Sequence, residues 1–320
     1  MKNNSVIELP KTSGKNKEHY AVILAGGEGS RLKSLTRAIA GDERPKQFCS
    51  ILHNKTLLDV TRHRVALKIA PQNTFFSLTA KHEKYFKIPL ADVSRNQLTI
   101  QPDNKGTAPA ILYSLLHLAR TAPHATVAFF PSDHYFSDDA AFMNNVESAF
   151  QAVEINPNSI VLLGIEPEKP ETSYGWIEPQ DSLFGNLSKA VSQVKRFWEK
   201  PSLESANYLM TKGCLWNSFV MVGKVGTFLN LIEKHLPGLF KMFAASSNSF
   251  GTSAETATMR SLYAWINDVN FSSEVLEKAA DELYVLRVSD VVWSDWGEPQ
   301  RVLGTLENLG LQMDWMAYAN

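Results

Sequence analysis

The sequence predicts an α/β fold: a doubly wound, mostly parallel, Rossmann-like sheet with an elaborated second half. Three observations carry this. Short apolar runs bounded by turn residues recur through the first half of the chain, as strands buried on both faces require. Between them stand segments whose apolar residues repeat at three- and four-residue spacing, the period of a helix packed on a sheet. A glycine-rich turn, Gly26-Gly27-Glu28-Gly29, closes the first run. Strands separated by helices are joined by right-handed crossovers, which lay them parallel.

The runs at 20–25 (YAVILA), 75–79 (FFSLT), Leu98–Gln101 (LTIQ), 127–131 (VAFFP) and Ile160–Ile165 (IVLLGI) read as strands. A helix over 108–120 starts with Pro109 near its first position, where the missing N–H costs nothing. Over 139–154, Phe142, Val146, Ala149, Phe150 and Val153 share one helical face behind a Ser137-Asp138 start signal. Gly213 stops a helix over 202–212 as a left-handed cap. In the less regular second half, 176–178, 191–198, 219–222 and Leu283–Val288 read as strands. Helices are expected near 225–235, 254–267, 273–281 and 298–309, and 237–253 is the candidate for a mobile surface loop. No repeat, low-complexity stretch or linker divides the chain, so one continuous domain is expected over 19–320, behind a polar, flexible tail at 1–18.

Composition narrows the function. Across 320 residues, 32 Lys+Arg stand against 33 Asp+Glu, a formal net charge of -1, which argues against a dedicated nucleic-acid binder. Cys49 and Cys214 lie outside any CxxC pattern. They exclude a disulfide framework and a zinc ribbon, and they suit a reducing cytoplasm, the compartment expected. No signal-peptide core and no run of about 20 apolar residues occurs, so no membrane span is expected. The eight histidines form no HExxH pair, and a zinc site is not expected.

The chemistry concentrates where the first strand ends, in Leu24-Ala25-Gly26-Gly27-Glu28-Gly29-Ser30-Arg31-Leu32. Glycines after a buried strand let the backbone approach a ligand and turn N–H groups toward phosphate oxygens. The dinucleotide fingerprint fails because Leu32 stands at its third glycine, and no G-K-[ST] follows for a P-loop. A phosphate loop containing Arg31 remains. Pro45-Lys46-Gln47-Phe48 follows fourteen residues after Arg31 and adds a second cation, as a triphosphate clamp needs. The intervening 38–44 (AIAGDER) is polar and reads as mobile enough to fold over a ligand.

Taken together, these segments resemble the sugar-1-phosphate nucleotidyltransferases, and most closely the mannose-1-phosphate guanylyltransferases. LAGGEGSRL and RPKQF are similar to that family's split nucleotide motif. Gln101-Pro102-Asp103-Asn104-Lys105-Gly106-Thr107-Ala108 is similar to its base-binding segment, and Pro131-Ser132-Asp133-His134 to the end of its active-site strand. Tyr174-Gly175-Trp176-Ile177-Glu178, Trp198-Glu199-Lys200-Pro201 and Leu215-Trp216-Asn217-Ser218 resemble its sugar-side motifs. Trp293-Ser294-Asp295-Trp296-Gly297 corresponds to an element carrying a second metal carboxylate.

The resemblance implies a sheet of the nucleotidyltransferase type, with a nucleotide-binding half at about 19–135, a sugar-phosphate half at about 136–300 and a C-terminal helical segment at about 298–320. It implies GTP and mannose-1-phosphate, or a related hexose-1-phosphate, as substrates, Mg²⁺ as cofactor, and a homo-oligomer, a dimer first. Arg31, Lys46, Asp133 and Asp295 would be catalytic, with Asp133 and Asp295 holding the metal. Leu24, Gly26, Gly27, Gly29, Ser30, Arg31, Lys46, Gln101, Asn104, Gly106 and Thr107 would bind the nucleotide. Tyr174, Gly175, Glu178, Glu199, Lys200 and Asn217 would bind the sugar phosphate. The chain departs from the family at Ser34, Phe219 and Ser272, and the last two read as changes on the sugar side. A length of 320 residues leaves no room for the isomerase domain of bifunctional relatives, so a single activity is expected. Another nucleotide or sugar pair, and a catalytically silent nucleotide-sugar sensor, are the rival readings.

Overall fold

The computed structural model describes residues 19–52, 54–180, 191–313 and 315–316; the tail expected at 1–18 lies outside them. The first half runs β1 (His19–Leu24), α1 (Lys33–Ala40), α2 (Leu57–Ala66), β2 (Thr74–Thr79), α3 (Glu83–Phe86), β3 (Leu98–Gln101), α4 (Thr107–Ala119), β4 (Thr126–Pro131), β5 (Tyr135–Phe136) and α5 (Asp139–Ile155). The second runs β6 (Ile160–Ile165), β7 (Gly175–Pro179), β8 (Val191–Glu199), α6 (Leu203–Thr211), β9 (Leu215–Lys224), α7 (Val225–His235), α8 (Pro237–Ser246), α9 (Glu255–Tyr263), β10 (Leu283–Val288), β11 (Trp293–Ser294) and α10 (Pro299–Asn308).

The central sheet has the order β3-β2-β1-β4-β9-β6-β10-β8-β7. β1 pairs in parallel with β2 and with β4, setting Ile23 beside both Phe76 and Phe130. The parallel character belongs to β3-β2-β1-β4 and to β6–β10, whereas β9, β8 and β7 join antiparallel. This reversal has a use. Because β9 runs backwards between β4 and β6, its beginning, Trp216 and Asn217, lies beside Ile165 and Gly164 at the end of β6. The sugar-side residues of β9 thus share the edge where the parallel strands end.

Helices cover both faces, so successive strand residues are buried alternately on each side. Ala21 and Ile23 join Phe142, Phe150 and Trp176 in one core, while Val22 joins Ile111, Phe129 and Phe228 in the other. A third cluster, with Leu35, Ile51, Trp296, Val302 and Leu306, packs α1 and α10 together beside the sheet edge.

Three local expectations are corrected. The stretch 237–253 is not an open loop: α8 and a 3-10 turn, Ser247–Ser249, occupy most of it. Phe243 and Phe250 anchor it in the core against Tyr113. The helix expected near 273–281 is a single π-helical turn, Ser272–Leu276, with a 3-10 turn at Ala280–Glu282. In 38–44, the first three residues complete α1, which Gly41 caps in the left-handed region (φ 77°). Arg44 then pairs with Asp42 at 2.8 Å, and Arg37 with Glu43.

Candidate active site

The cleft opens beyond the carboxyl ends of β1 to β4, where an open α/β sheet places its ligands. After Leu24 the glycine-rich loop is braced from beneath. Gln47 Nε2 donates to the carbonyls of Ala25 (3.1 Å) and Gly27 (2.9 Å), and Thr79 Oγ1 donates to that of Gly26 (2.9 Å). Gly26 has no room for a side chain: a Cβ there would lie 2.9 Å from Thr79 Oγ1 and 3.0 Å from Gln101 Nε2.

Two adjoining cavities share Asn104, Asp133 and His134. One, of about 370 Å³, is lined by Leu24, Gly26, Gly27, Gln101, Gly106 and Thr107. The other, of about 480 Å³, is lined by Gly29, Ser30, Arg31, Lys46 and Asp295. Every residue expected to meet the nucleotide therefore faces one cleft. Volume alone does not locate it. A cavity of about 570 Å³ lined by Arg62, Gln72, Thr74, Asp92 and Gln97 is larger, but it opens at the amino end of β2 and includes neither Asp133 nor Asp295.

On the first cavity's wall, Gln101 is almost wholly buried. Its Oε1 accepts from the Tyr263 hydroxyl at 2.9 Å, which turns Nε2 toward Gly26. The turn that follows is clamped to a distant segment. Val269 N–H donates to the Lys105 carbonyl (2.9 Å), Ala108 N–H to that of Val269 (3.0 Å), and Phe271 N–H to Thr107 Oγ1 (2.8 Å). Asn104 Oδ1 accepts from Gly106 N–H at 3.0 Å. Phe219, Asn270 and Ser272 complete this wall. The reading of Phe219 and Ser272 as sugar-side changes is thereby corrected: both share a cavity with Gln101 and Thr107.

The second cavity is built by an element too short to predict. β5 and β11 form a two-stranded antiparallel ribbon, Tyr135 opposite Ser294 and Phe136 opposite Trp293, which carries Asp133 and Asp295 to the same place from 162 residues apart in sequence. Lys46 lies between them and is buried. Its Nζ donates to the carbonyls of Asp295 and Trp296 (2.9 Å to the latter) and stands 3.4 Å from Asp133 Oδ2. Asp295 Oδ1 accepts from Tyr174 OH (3.1 Å), Arg301 Nη1 (2.6 Å) and Gly297 N–H (2.7 Å). Burial alone would push this carboxyl up, yet Lys46, Arg301 and the Gly297 N–H together hold it below its ordinary value. Burial lowers His134 to about 4, so at neutral pH it is uncharged and its Nδ1 accepts from Trp293 Nε1 at 3.3 Å. Its ring packs edge-on against Trp293, with centroids 5.4 Å apart. Arg31, by contrast, is 59% exposed, with Glu298 at 3.8 Å.

Two carboxylates facing a cavity rimmed by Arg31 and Lys46 suit a hard divalent cation, whose other ligands come from phosphate and water. Among the described residues no group of three or more His, Cys, Asp or Glu could hold a metal ion, and two carboxylates leave most of a hard cation's shell to phosphate and water.

The sugar-side residues divide. Gly175 pairs with Glu199 across β7 and β8, and burial raises the Glu199 carboxyl while Lys200, 3.5 Å away, opposes the rise. Lys200 itself holds a left-handed backbone (φ 48°) and is mostly exposed. Asn217 is buried at the start of β9, where its Oδ1 accepts from Phe219 N–H at 3.0 Å. Glu178 does not join them. It lies three residues from Gly175, hence on the opposite face of β7, where it meets Lys195 at 2.7 Å. Tyr174 is buried, with its hydroxyl on Asp295, so it braces the carboxylate instead of meeting a sugar. Gln47, Tyr263, Asn270 and Arg301 were not singled out from the sequence. Only Gln47, inside the quoted RPKQF segment, carried a local signal.

This geometry defines a nucleotide-handling transferase fold, and comparison with known proteins agrees. The Nucleotidyl transferase family matches residues 20–308, and the chain belongs to that family. Mannose-1-phosphate guanylyltransferase 2 of Escherichia coli O157:H7 is 28% identical over 289 residues, covering 88% of this chain and 58% of that protein. The xanthan biosynthesis protein XanB of Xanthomonas campestris pv. campestris (strain B100) is 28% identical over 296 residues, covering 90% of this chain and 60% of that protein. The chain thus spans about three fifths of the length of these curated relatives. Among solved structures, one described as mannose-1-phosphate geranyltransferase from Thermus thermophilus superposes with a TM-score of 0.77 at 28% identity, over 93% of this chain and 80% of that one. No helix among the described residues is long and apolar enough to cross a membrane.

Proposed function

We propose that the chain is a cytoplasmic mannose-1-phosphate guanylyltransferase, forming GDP-mannose and pyrophosphate from GTP and mannose-1-phosphate, with Mg²⁺ as its cation and a homodimer as its assembly. The observation that carries this is the meeting of Lys46, Asp133 and Asp295 in a cavity that opens into the Gln101–Gly106–Thr107 cavity. The names of the relatives favour guanine and mannose.

In this reading a sugar-phosphate oxygen attacks the α-phosphorus of GTP in line and pyrophosphate leaves. Two polyanions must meet, so the protein's work is positioning and charge cancellation. Gly26, Gly27, Gly29 and Ser30 lay the backbone along the triphosphate. Arg31 and Lys46 offset its charge and that of the departing pyrophosphate. Lys200 grips the sugar phosphate, and Gly175, Glu199 and Asn217 meet the sugar. Asp133 and Asp295 would hold Mg²⁺, which when bound supplies Lewis-acid neutralisation of phosphate charge. Gln101 has Oε1 committed to Tyr263 and Nε2 in long bonds to Ser77 Oγ (3.4 Å) and the Leu78 carbonyl (3.5 Å); one of these long bonds gives way to a base carbonyl such as guanine O6, and the 104–107 turn supplies backbone partners.

Because Phe219 and Ser272 line the nucleotide cavity, the same transfer with another nucleotide or hexose-1-phosphate is the second reading. A screen of nucleoside triphosphates against several sugar-1-phosphates, read by pyrophosphate release, decides. GTP with mannose-1-phosphate should lead by at least about tenfold in kcat/KM, equivalent to about 1.4 kcal/mol. A lead for UTP, dTTP or CTP removes the guanylyltransferase reading, and no release with any pair removes the enzyme.

A further inference from the structure

Arg301 stands in the first turn of α10, where the helix dipole disfavours a cation. A surface arginine would turn outward there. This one turns inward and is largely covered, its side chain only 9% exposed. Nη1 donates to Asp295 Oδ1 at 2.6 Å, while Nη2 donates to Ser173 Oγ at 2.9 Å and lies 3.2 Å from Glu171 Oε1. The guanidinium sits 4.6 Å from the centre of the Tyr174 ring, and the Tyr174 hydroxyl donates to the same Asp295 oxygen. A planar fork can reach all of these groups at once; a lysine ammonium, a point charge on a single stem, cannot.

We propose that Arg301 is a positioning residue for the transfer: it locks one oxygen of Asp295 against the protein, leaves the other for the cation, and ties this carboxylate to the 171–174 turn that leads into Gly175. The proposal rests on the function inferred above. Its logic is geometric. Oδ1 already accepts three bonds, from Arg301, Tyr174 and the Gly297 N–H, so the carboxylate cannot rotate without breaking several of them. Oδ2 accepts none among the described residues. Glu298, in the same turn, lies 3.7 Å from Arg301 and 3.8 Å from Arg31, which links the phosphate loop to the same anchor. The amino end of α10 therefore fastens together three parts of the cleft that the chain contributes separately.

The test uses the full chain carrying Arg301→Met, Arg301→Lys or Tyr174→Phe. Mn²⁺ binding in the presence of GTP is followed by electron paramagnetic resonance, alongside the Mg²⁺ concentration for half-maximal turnover and the KM of each substrate. Loss of a group that orients a metal-binding side chain weakens cation affinity by about 10- to 100-fold. Arg301→Met should show at least about that tenfold loss in Mn²⁺ affinity, a raised KM for the sugar-1-phosphate, and a KM for GTP within about twofold of wild type at saturating cation. Arg301→Lys should fall between, and excess Mg²⁺ should restore part of its turnover. A purely structural role would lower the melting temperature without moving the cation requirement. If Arg301→Met fails to fold, Arg301→Lys and Tyr174→Phe decide. A folded variant pair with wild-type Mn²⁺ affinity and wild-type Mg²⁺ requirement overturns the proposal. A wild-type chain that neither binds Mn²⁺ with GTP nor releases pyrophosphate overturns the parent function, and this inference with it.

Discussion

Gly106→Ala probes the wall of the nucleotide cavity at its least forgiving point. Gly106 adopts φ 85°, ψ -178°, a region open in practice only to glycine and costing another residue about 1–3 kcal/mol. Its Cβ would lie 2.8 Å from the Val269 carbonyl carbon and 3.0 Å from the Val269 nitrogen. Those are backbone atoms and cannot rotate aside. Val269 is also bonded both ways, to the Lys105 carbonyl and from Ala108 N–H, so the new methyl must break at least one bond worth about 0.5–1.5 kcal/mol net. Adding the two contributions gives roughly 2–4 kcal/mol, for a melting temperature about 5 °C lower in a chain of this size. Because the 104–108 turn can detach without global unfolding, the greater loss should fall on the nucleotide, with KM for GTP rising at least about tenfold and that for the sugar-1-phosphate little changed. Gly226→Ala, at the start of α7, is the control: its Cβ meets nothing within 4 Å, and it should be neutral or stabilising by about 0.5–1 kcal/mol. Calorimetry and steady-state kinetics read both. Gly106→Ala with unchanged melting and unchanged GTP use would refute the clamp between this turn and Val269.

Asp133→Asn and Asp295→Asn should each lower turnover by at least about 100-fold with the fold intact by circular dichroism, the order expected for loss of a major electrostatic stabiliser; full activity in excess chelator would contradict this. Lys200→Ala should mainly raise the KM for sugar-1-phosphate, whereas Lys46→Ala should damage nucleotide use and turnover, and identical kinetics for both would remove the division of labour. Buried Glu255 supplies a pH-dependent test. Burial pushes its carboxyl up, but bonds from His117, Tyr113 and the Gly251 N–H outweigh this and hold it at about 2. A carboxylate depressed in the folded state stabilises above its unfolded value and loses that contribution as pH falls through the folded value. Glu255→Gln should therefore cost about 3 kcal/mol near neutral pH and flatten the decline in stability between about pH 4.5 and 2; an unaltered acid limb in denaturant titrations would show the carboxylate carries no such linkage.

What could be read from the sequence was what local pattern determines. Leu98–Gln101, Ile160–Ile165 and Leu283–Val288 coincide with β3, β6 and β10: in β6 a continuous apolar run already states burial on both faces, whereas β3, at the sheet edge, and β10 are only partly buried and show as short β-prone stretches between turns. The start of β9 escaped because Asn217 and Ser218 look like turn chemistry, although Ser218 is buried and donates to the Leu163 carbonyl at 2.6 Å. In the same way Pro237-Gly238 and the later serines disguised α8, whose Phe243 is fully buried. The nucleotide side was legible because its residues sit on three short stretches, two of which end a strand and the third of which, around Lys46, lies on a 3-10 turn. Arg301, Asn270 and Tyr263 were not, since nothing local distinguishes them before α9 and α10 pack against the cleft. Glu178 is a different lesson: the strand period of two already sets it opposite Gly175, and motif similarity overrode that signal.

Lys46 shows how the cleft manages charge before any ligand arrives. An ammonium group has three donors. Here two meet the carbonyls of Asp295 and Trp296, and the third side faces Asp133 at 3.4 Å. In this arrangement the lysine is a counter-charge to both carboxylates, facing that of Asp133 directly and bonding Asp295 through its backbone carbonyl. A buried charge of this kind is tolerated because it is fully partnered, and it costs no reorganisation during the transfer. Arg31 is the opposite case. With most of its side chain in solvent and, among the described residues, only a long ion-pair contact to Glu298, it must surrender rotamer freedom to reach a phosphate, and its contribution appears only when the ligand is present. Substitution of Lys46 should accordingly disturb the free chain as well as the complex, shifting the melting temperature without any ligand. Substitution of Arg31 should leave that temperature unchanged and register only when GTP is added. A ligand-free melting shift in the Arg31 variant and none in the Lys46 variant would reverse the two assignments.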